Sequence, residues 1–308
     1  MELFEKNIKA LNDIDLKEVL EKSYPMIIEL IENGVSIKEI VNSCKTLNGY
    51  EIIHELLKNK GSDENIKRVI EDYHDSFRIT GDRCLIISDT HIGRLKPDEN
   101  QWLYKSINYY MNEEGFKRAI DYAQNSSIKN IIHVGDIIEG KVYSEEGQSR
   151  LYFNRQMYYL EKLYSQIDDI KTYLLYGNHD LLTINYYDYH FFKQFYKKCN
   201  NMELVGADKA YLLFNNNRIQ LSHPCSIGYR HLLLPYDLKL EGHSHEYRIV
   251  DSKGLVKVPA LASLKDHRTS ATGFLELIDE EKEFLIKRFD EQAKYVEEKR
   301  LEKVRRPY

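Results

Sequence analysis

The sequence predicts an α/β protein in which short buried strands alternate with helices, behind an all-helical amino-terminal segment. Three observations carry this expectation. The runs Cys84-Leu85-Ile86-Ile87-Ser88, Asn130-Ile131-Ile132-His133-Val134 and Thr172-Tyr173-Leu174-Leu175-Tyr176 are short, apolar and rich in β-branched or aromatic residues, as strands buried on both faces are. Stretches of helix length, about Tyr104 to Gln124 and Leu151 to Ile167, lie between them. That alternation implies βαβ-type units and a largely parallel sheet. Before about Gly81 the apolar spacing is helical throughout.

Taken in order, Asp15 can cap a first helix through Leu16, Val19 and Leu20, and Gly34 can end the next. Ser36-Ile37-Lys38-Glu39 has the form of a capping box. Ile52, Ile53, Leu56 and Leu57 make a stripe between Gly49 and Gly61, and a last helix runs from about Asp63 to Phe77. Two short helices meeting near Leu47-Asn48-Gly49 have the outline of a helix-turn-helix, but the region is acidic or neutral, so a helical appendage or an oligomer contact is the expectation. After the three central strands, Tyr189 to Cys199 reads as an aromatic helix. Arg218-Ile219-Gln220-Leu221-Ser222 and Asp237-Leu238-Lys239-Leu240-Glu241 read as strands. Gly273 to Ile278 and Glu283 to Lys287 form a hairpin pattern, and Glu291 to Arg306 reads as a charged helix or tail. The expected organisation is residues 1–80 helical, 81–290 the α/β domain and 291–308 the tail.

Composition narrows the class. With 42% hydrophobic and 30% charged residues, the 308-residue chain can bury a proper core as one large domain or two ordinary ones. No apolar run approaches a membrane span, and Met1-Glu2-Leu3-Phe4-Glu5-Lys6 lacks a signal-peptide pattern. Cys44, Cys84, Cys199 and Cys225 are far apart and form no Cys-x-x-Cys pair, which reads as reduced thiols in a cytoplasmic protein. A net charge of -5 gives no global pull toward nucleic acid, although a local basic path is compatible with it. Tyrosine doublets such as Tyr109-Tyr110 and Tyr158-Tyr159 are either a stacking surface or ordinary packing.

The chemistry lies where the strands stop. Five of them end in metal-binding residue types: Asp89 and His91; Asp136; Asn178 and His179; His223; His243 and His245. Any one alone is a cap, a turn or a satisfied core histidine, and His133, His190, His231 and His267 are read that way. Five convergent strand ends form a pattern that turn chemistry does not generate, and in open α/β sheets ligands sit beyond the carboxyl ends of strands. Nitrogen and oxygen donors without thiolate suit Mn²⁺, Fe or Zn²⁺ better than magnesium. These donors are more than one tetrahedral site takes, so two ions are implied, with a carboxylate such as Asp136 able to bridge them.

The order Asp89-x-His91, Gly135-Asp136, Gly177-Asn178-His179-Asp180, His223, Gly242-His243-x-His245 resembles the calcineurin-like metallophosphoesterases from about Cys84 to Ile286. The resemblance implies a double β-sandwich flanked by helices. It also implies Asp89, His91, Asp136 and His245 around one ion and Asp136, Asn178, His223 and His243 around the other. Two such ions about 3.5–4 Å apart acidify a shared water to hydroxide, clamp phosphoryl oxygens and stabilise an in-line displacement. His179, unclaimed by the ions, is then the proton donor to the leaving group, with Asp180 orienting its ring.

Departures from relatives narrow the substrate. The serine/threonine phosphatases of the family carry Gly-Asp-x-x-Asp-Arg-Gly, where this chain has Gly135-Asp136-Ile137-Ile138-Glu139-Gly140-Lys141 and so lacks the arginine that forks onto phosphate. Pro224 follows His223, where relatives commonly carry glycine. The set is more similar to the bacterial and phage phosphodiesterase and repair-nuclease branch. Lys141, Tyr143 and Arg150 are candidate substrate contacts, or else an exposed loop. The expected function is therefore hydrolysis of a phosphodiester. The alternatives are a phosphomonoesterase of the same fold and a non-catalytic scaffold.

Overall fold

The structure, a computed structural model, describes residues 16–43, 49–96, 109–140, 153–167, 169–186, 199–224, 233–264 and 272–306. Helices α1 (Leu16–Glu32), α2 (Ile37–Ser43), α3 (Gly49–Lys60) and α4 (Glu64–Asp75) come first. The capping box is present: the Glu39 N–H donates to Ser36 Oγ (3.2 Å), and the Ser36 N–H returns a bond to Glu39 Oε2 (2.9 Å). Asp63 caps α4 by accepting from the Asn65 and Ile66 N–H groups. Beyond them follow β1 (Arg78–Ile79), β2 (Arg83–Ile87), β3 (Tyr109–Tyr110), α5 (Glu113–Asn125), β4 (Asn130–Val134), α6 (Phe153–Tyr164), β5 (Lys171–Tyr176) and α7 (Asn178–Tyr186). The remainder is β6 (Met202–Ala207), β7 (Lys209–Phe214), β8 (Asn217–Ser222), β9 (Leu238–Glu241), β10 (Arg248–Val250), β11 (Leu255–Lys257), β12 (Ser263–Leu264), β13 (Phe274–Asp279), β14 (Glu283–Phe289) and β15 (Tyr295–Glu302).

Thirteen strands share one hydrogen-bonded sheet, in the order β10-β11-β9-β8-β7-β6-β5-β4-β2-β13-β14-β15, with β1 alongside β7. The run β2-β4-β5-β6 is parallel, as the strand and helix alternation predicts. At β6–β7 the ladder narrows to the single pair Ala207↔Lys209, and the sheet folds over on itself there. Strand alternation then sorts the side chains. Ile86, Ile132, Val134, Tyr173 and Leu175 share a core with Leu212, Ile219, Leu221, Leu238 and Leu240 from the far half, which makes a sandwich. The opposite side chains, Leu85, Ile87, Ile131, Leu174 and Tyr176, pack with Phe116, Ala119 and Ile120 of α5 and Met157, Leu160 and Leu163 of α6.

Expectations change at both ends of the chain, and the helix expected from Tyr104 starts only at Glu113, after strand β3 at Tyr109–Tyr110. The amino-terminal helices are no appendage: Ile40, Ile52, Leu56, Ile66 and Ile70 belong to the same buried cluster as the sandwich. Arg218 of β8 also binds Asp75 (2.7 Å) and Glu71 (2.8 Å) of α4. The carboxyl-terminal segment is neither helix nor tail. Residues 295–302 form β15, paired antiparallel to β14, with Leu301 as its buried side chain. The expected helix over Tyr189 to Cys199 lies mainly outside the described residues. Because the helices share one core with the sheets, Ile70→Ala should destabilise the whole molecule by about 2–5 kcal/mol. Denaturant unfolding followed separately by near- and far-ultraviolet dichroism checks this, with coincident curves expected; an early transition confined to helix signal would show that the segment folds by itself.

Candidate metal centre

The strand ends meet at one edge. Parallel pairing of β2, β4 and β5 brings Asp89, Asp136 and Asn178 to the same side. The turn-over at Asp208 adds the far half: the Asp208 N–H donates to Tyr176 O (3.0 Å), and Asp208 O accepts from the His223 N–H (2.8 Å). The first two loops are zipped together by Asp89 N–H to Gly135 O, His91 N–H to Asp136 O and Ile92 N–H to Ile137 O. Their backbone is wound against preference, with φ of 51° at Asp89, 43° at His91, 51° at Asp136, 76° at His243 and 50° at His245. Such angles are uncommon outside glycine, and clusters of them mark functional sites. Gly177 is required for close approach: a Cβ there would lie 2.2 Å from Asp136 Oδ1 and 2.8 Å from His223 Nε2.

All seven predicted ligands come together. His91 Nε2 lies 3.2 Å from His245 Nε2, 3.9 Å from Asp89 Oδ1 and 3.8 Å from Asp136 Oδ2. His245 Nε2 is 3.3 Å from Asp89 Oδ1. Across the centre, His223 Nε2 is 3.2 Å from the same Asp136 Oδ2, and His243 Nδ1 is 2.9 Å from Asn178 Oδ1. Pro224 does not displace the His223 ring. Asp89-His91-His245, His91-Asp136-His179 and Asp136-His223-His243 each gather three donors within 4.8 Å of one another. Atoms sharing an ion at about 2.0–2.2 Å stand roughly 3.0–3.6 Å apart, so this spacing fits cation binding.

Hydrogen bonds decide which ring nitrogens face the centre. His223 Nδ1 donates to Val134 O (2.7 Å), which leaves Nε2 as a buried atom with no hydrogen-bond partner, directed at a carboxylate. A lone pair against a carboxylate is tolerable once a proton or a cation lies between them. With a proton there, burial opposes the charge but Asp136 prevails and pushes His223 up to about 10. Burial raises and His223 lowers the Asp136 carboxyl, which ends well below the usual range. His91 Nδ1 is held 3.1 Å from Glu139 Oε2, and Glu139 Oε1 takes Arg94 Nη1 at 2.9 Å. An imidazole fixed through one nitrogen by a carboxylate or carbonyl is how ligand histidines are oriented.

His179 stands beside the ions' expected place, its N–H donating to Asp136 Oδ1 (2.9 Å) and its Nδ1 to Glu139 O (3.0 Å). Burial lowers its pKa, but Asp136 and Glu139 outweigh that and leave it raised. The expected partner Asp180 does something else. Its carboxylate accepts the N–H groups of Gly177 (2.8 Å), Ile137 (3.1 Å) and Ile138 (3.1 Å), which ties the second loop to the start of α7. Burial and then Asp136 raise its pKa to about 7 against those three bonds. The residue that holds the His179 ring is instead Glu139, through its carbonyl oxygen. The signal was a lone carboxylate in the apolar run after Asp136. Lys141, Tyr143 and Arg150 lie outside the described residues.

A sandwich whose parallel strand ends carry a histidine and carboxylate centre defines a metal-dependent phosphoester hydrolase. The chain belongs to the calcineurin-like phosphoesterases, whose family model matches residues 83–257, more than half its length. That family is dimetal-dependent. No curated protein matches the chain. Among solved structures it is similar to YfcE, a phosphoesterase from E. coli, at 10% identity over 70% of this chain and 98% of that one, with a TM-score of 0.41. It is also similar to the Pseudomonas putida nuclease MPE, at 14% identity over 63% and 84%, TM-score 0.34. Vps29 from Chaetomium thermophilum is 11% identical over 73% and 100%, TM-score 0.37. No helix among the described residues is long and apolar enough to cross a membrane.

Proposed function

We propose that the chain hydrolyses a phosphodiester of the nucleotide or nucleic-acid class. In this reading Asp89, His91, Asp136 and His245 hold one ion and Asp136, Asn178, His223 and His243 the other. The observation that carries it is Asp136 Oδ2, 3.8 Å from His91 Nε2 and 3.2 Å from His223 Nε2, on two rings whose other nitrogens are already committed. When bound, two divalent cations, Mn²⁺ before Fe or Zn²⁺ for this donor set, acidify water and neutralise phosphoryl charge. The protein's own part is orientation and proton supply. Because Glu139 O accepts from His179 Nδ1, the transferable proton sits on Nε2, available to an alkoxide leaving group. Glu139 also fixes His91, so one residue aligns a ligand and the acid.

A diester is favoured over a monoester by charge. Arg94 stands next to the centre, but its Nη1 is paired with Glu139, and a dianionic monoester would ask for an arginine fork free to meet it. The buried free thiols of Cys84 and Cys199 suit a reducing compartment, and we place the protein in the cytoplasm. A manganese-supplemented assay of bis-p-nitrophenyl phosphate, p-nitrophenyl phosphate, cyclic nucleotides and single-stranded DNA tests the proposal, beside metal analysis of the purified chain. Diesters should turn over fastest with about two ions bound. A monoester hydrolysed much faster than every diester would refute the substrate class.

A further inference from the structure

Tyr109 lies outside the predicted ligand set yet packs on three of the centre's imidazoles. Its ring centroid is 4.2 Å from that of His91 and 5.0 Å from that of His245, and it stands edge-on to His179 at 6.4 Å. The Arg94 guanidinium lies 5.5 Å from the same ring. The residue is held firmly. Strand β3 pairs with β12 through Ser263↔Tyr110 and Leu264↔Tyr109. Just before β12, the N–H groups of Leu261 and Ala262 bond Ser88 O (2.9 Å) and Asp89 O (3.0 Å), while the Met111 N–H bonds Arg94 O (2.8 Å). The ring is thus tied on both sides to the loop that carries Asp89 and His91.

Exposure at the centre is uneven. Asp89, His91, Asp136 and His223 are buried, the side chains of His245 and His179 are 18% and 13% exposed, and His243 is open to solvent. Tyr109 covers the buried His91 and packs against the partly exposed His245 and His179. The open flank is His243 with Asn178. A tyrosine that merely filled the core would be buried, whereas Tyr109 keeps part of its surface in solvent beside His179.

We infer that Tyr109 is a specificity-determining wall: its ring closes the His91–His245 flank, so an ester enters over His243 and Asn178 and can carry little bulk on the closed side. This rests on the phosphoester reading above, and the discriminating chemistry is the size of the organic group attached to phosphorus. Removing the ring should admit a larger group there, and a pocket contact of this kind is typically worth about tenfold or more in selectivity.

The test uses the full-length, manganese-loaded protein and binding rather than turnover. Affinities for methylphosphonate, phenylphosphonate and 1-naphthylphosphonate are measured by calorimetry on the native protein, Tyr109→Phe, Tyr109→Leu and Tyr109→Ala, with metal content recorded for each. The naphthyl-to-methyl affinity ratio should rise about tenfold in Tyr109→Ala, less in Tyr109→Leu, and match the native ratio in Tyr109→Phe. An unchanged ratio in both truncated variants with native metal content would overturn the wall. So would an equal rise in Tyr109→Phe, which would move the effect to the hydroxyl. Loss of ions from Tyr109→Ala and Tyr109→Leu alike would assign the ring to holding His91 and overturn it too. Phosphonates are not turned over, so a failed diester assay would leave this outcome separately readable.

Discussion

Asp136→Asn should abolish activity by about 10³-fold or more, because it removes the group that both ions are proposed to share and several kcal/mol of transition-state stabilisation with them. The backbone should tolerate the change. Asparagine accepts the φ of 51° at this position better than most residues, and its amide oxygen can still take the His179 N–H. What disappears is the charge and the second oxygen, the one that faces both His91 and His223. Manganese should therefore raise the Tm of the native protein and leave that of the variant unmoved, since binding to the native state is what stabilises it. Elemental analysis beside the two melting curves checks the result. A variant that keeps two ions and its metal-dependent Tm would remove Asp136 from the bridging position.

His179→Asn should split substrates by leaving group. A sugar alkoxide leaves poorly without a proton, so hydrolysis of nucleotide diesters should fall by about 10²–10⁴-fold. Nitrophenolate needs no such help, and bis-p-nitrophenyl phosphate should lose about tenfold or less under the same principle. Metal content should stay at the native level, because the proposed ligand set does not include His179. The grouping of His179 with His91 and Asp136 gives the measurement its edge. If ions are lost with the ring, His179 is a ligand. If both ester classes fall equally while the ions stay, the ring serves a phosphoryl oxygen instead, and the role of acid passes from it.

Much of the fold was legible because strands buried on both faces announce themselves. Leu85, Ile131 and Leu174 face one layer while Ile86, Ile132 and Tyr173 face the other, so the runs are continuously apolar and stop abruptly at Asp89, Asp136 and Asn178. Strands of two or three residues, such as β1, β10 and β12, are too short to show a period, and the adjoining β6 and β7 have no clear alternation. Residues 295–302 misled through composition. Glu297, Glu298, Lys299 and Arg300 favour a helix by propensity, but pairing with β14 overrides it at an edge that is solvated on nearly every side.

The centre divides along the same line between local and distant information. Its ligand types follow strand ends and could be read one by one. Glu139 could not, since its partners His91 and Arg94 lie 48 and 45 positions away. Asp180 was misjudged for the complementary reason. Adjacency to His179 in the chain suggested contact, but at the start of a helix its carboxylate turns inward to Gly177, Ile137 and Ile138 instead.

The left-handed backbone at Asp89, His91, Asp136, His243 and His245 bears on how the molecule comes apart. Each such residue costs of order 1–3 kcal/mol unless its surroundings hold it. Here a few cross-loop hydrogen bonds do the holding, and the ions proposed at this edge would add to it. The working edge is thus the seam along which the chelated protein should first breathe. Its amides there should exchange with solvent well before those of the sandwich interior, where strand and helix preferences agree. Rivets of metal at a strained rim and a self-consistent interior behind it would make durability and catalytic readiness depend on the same two atoms.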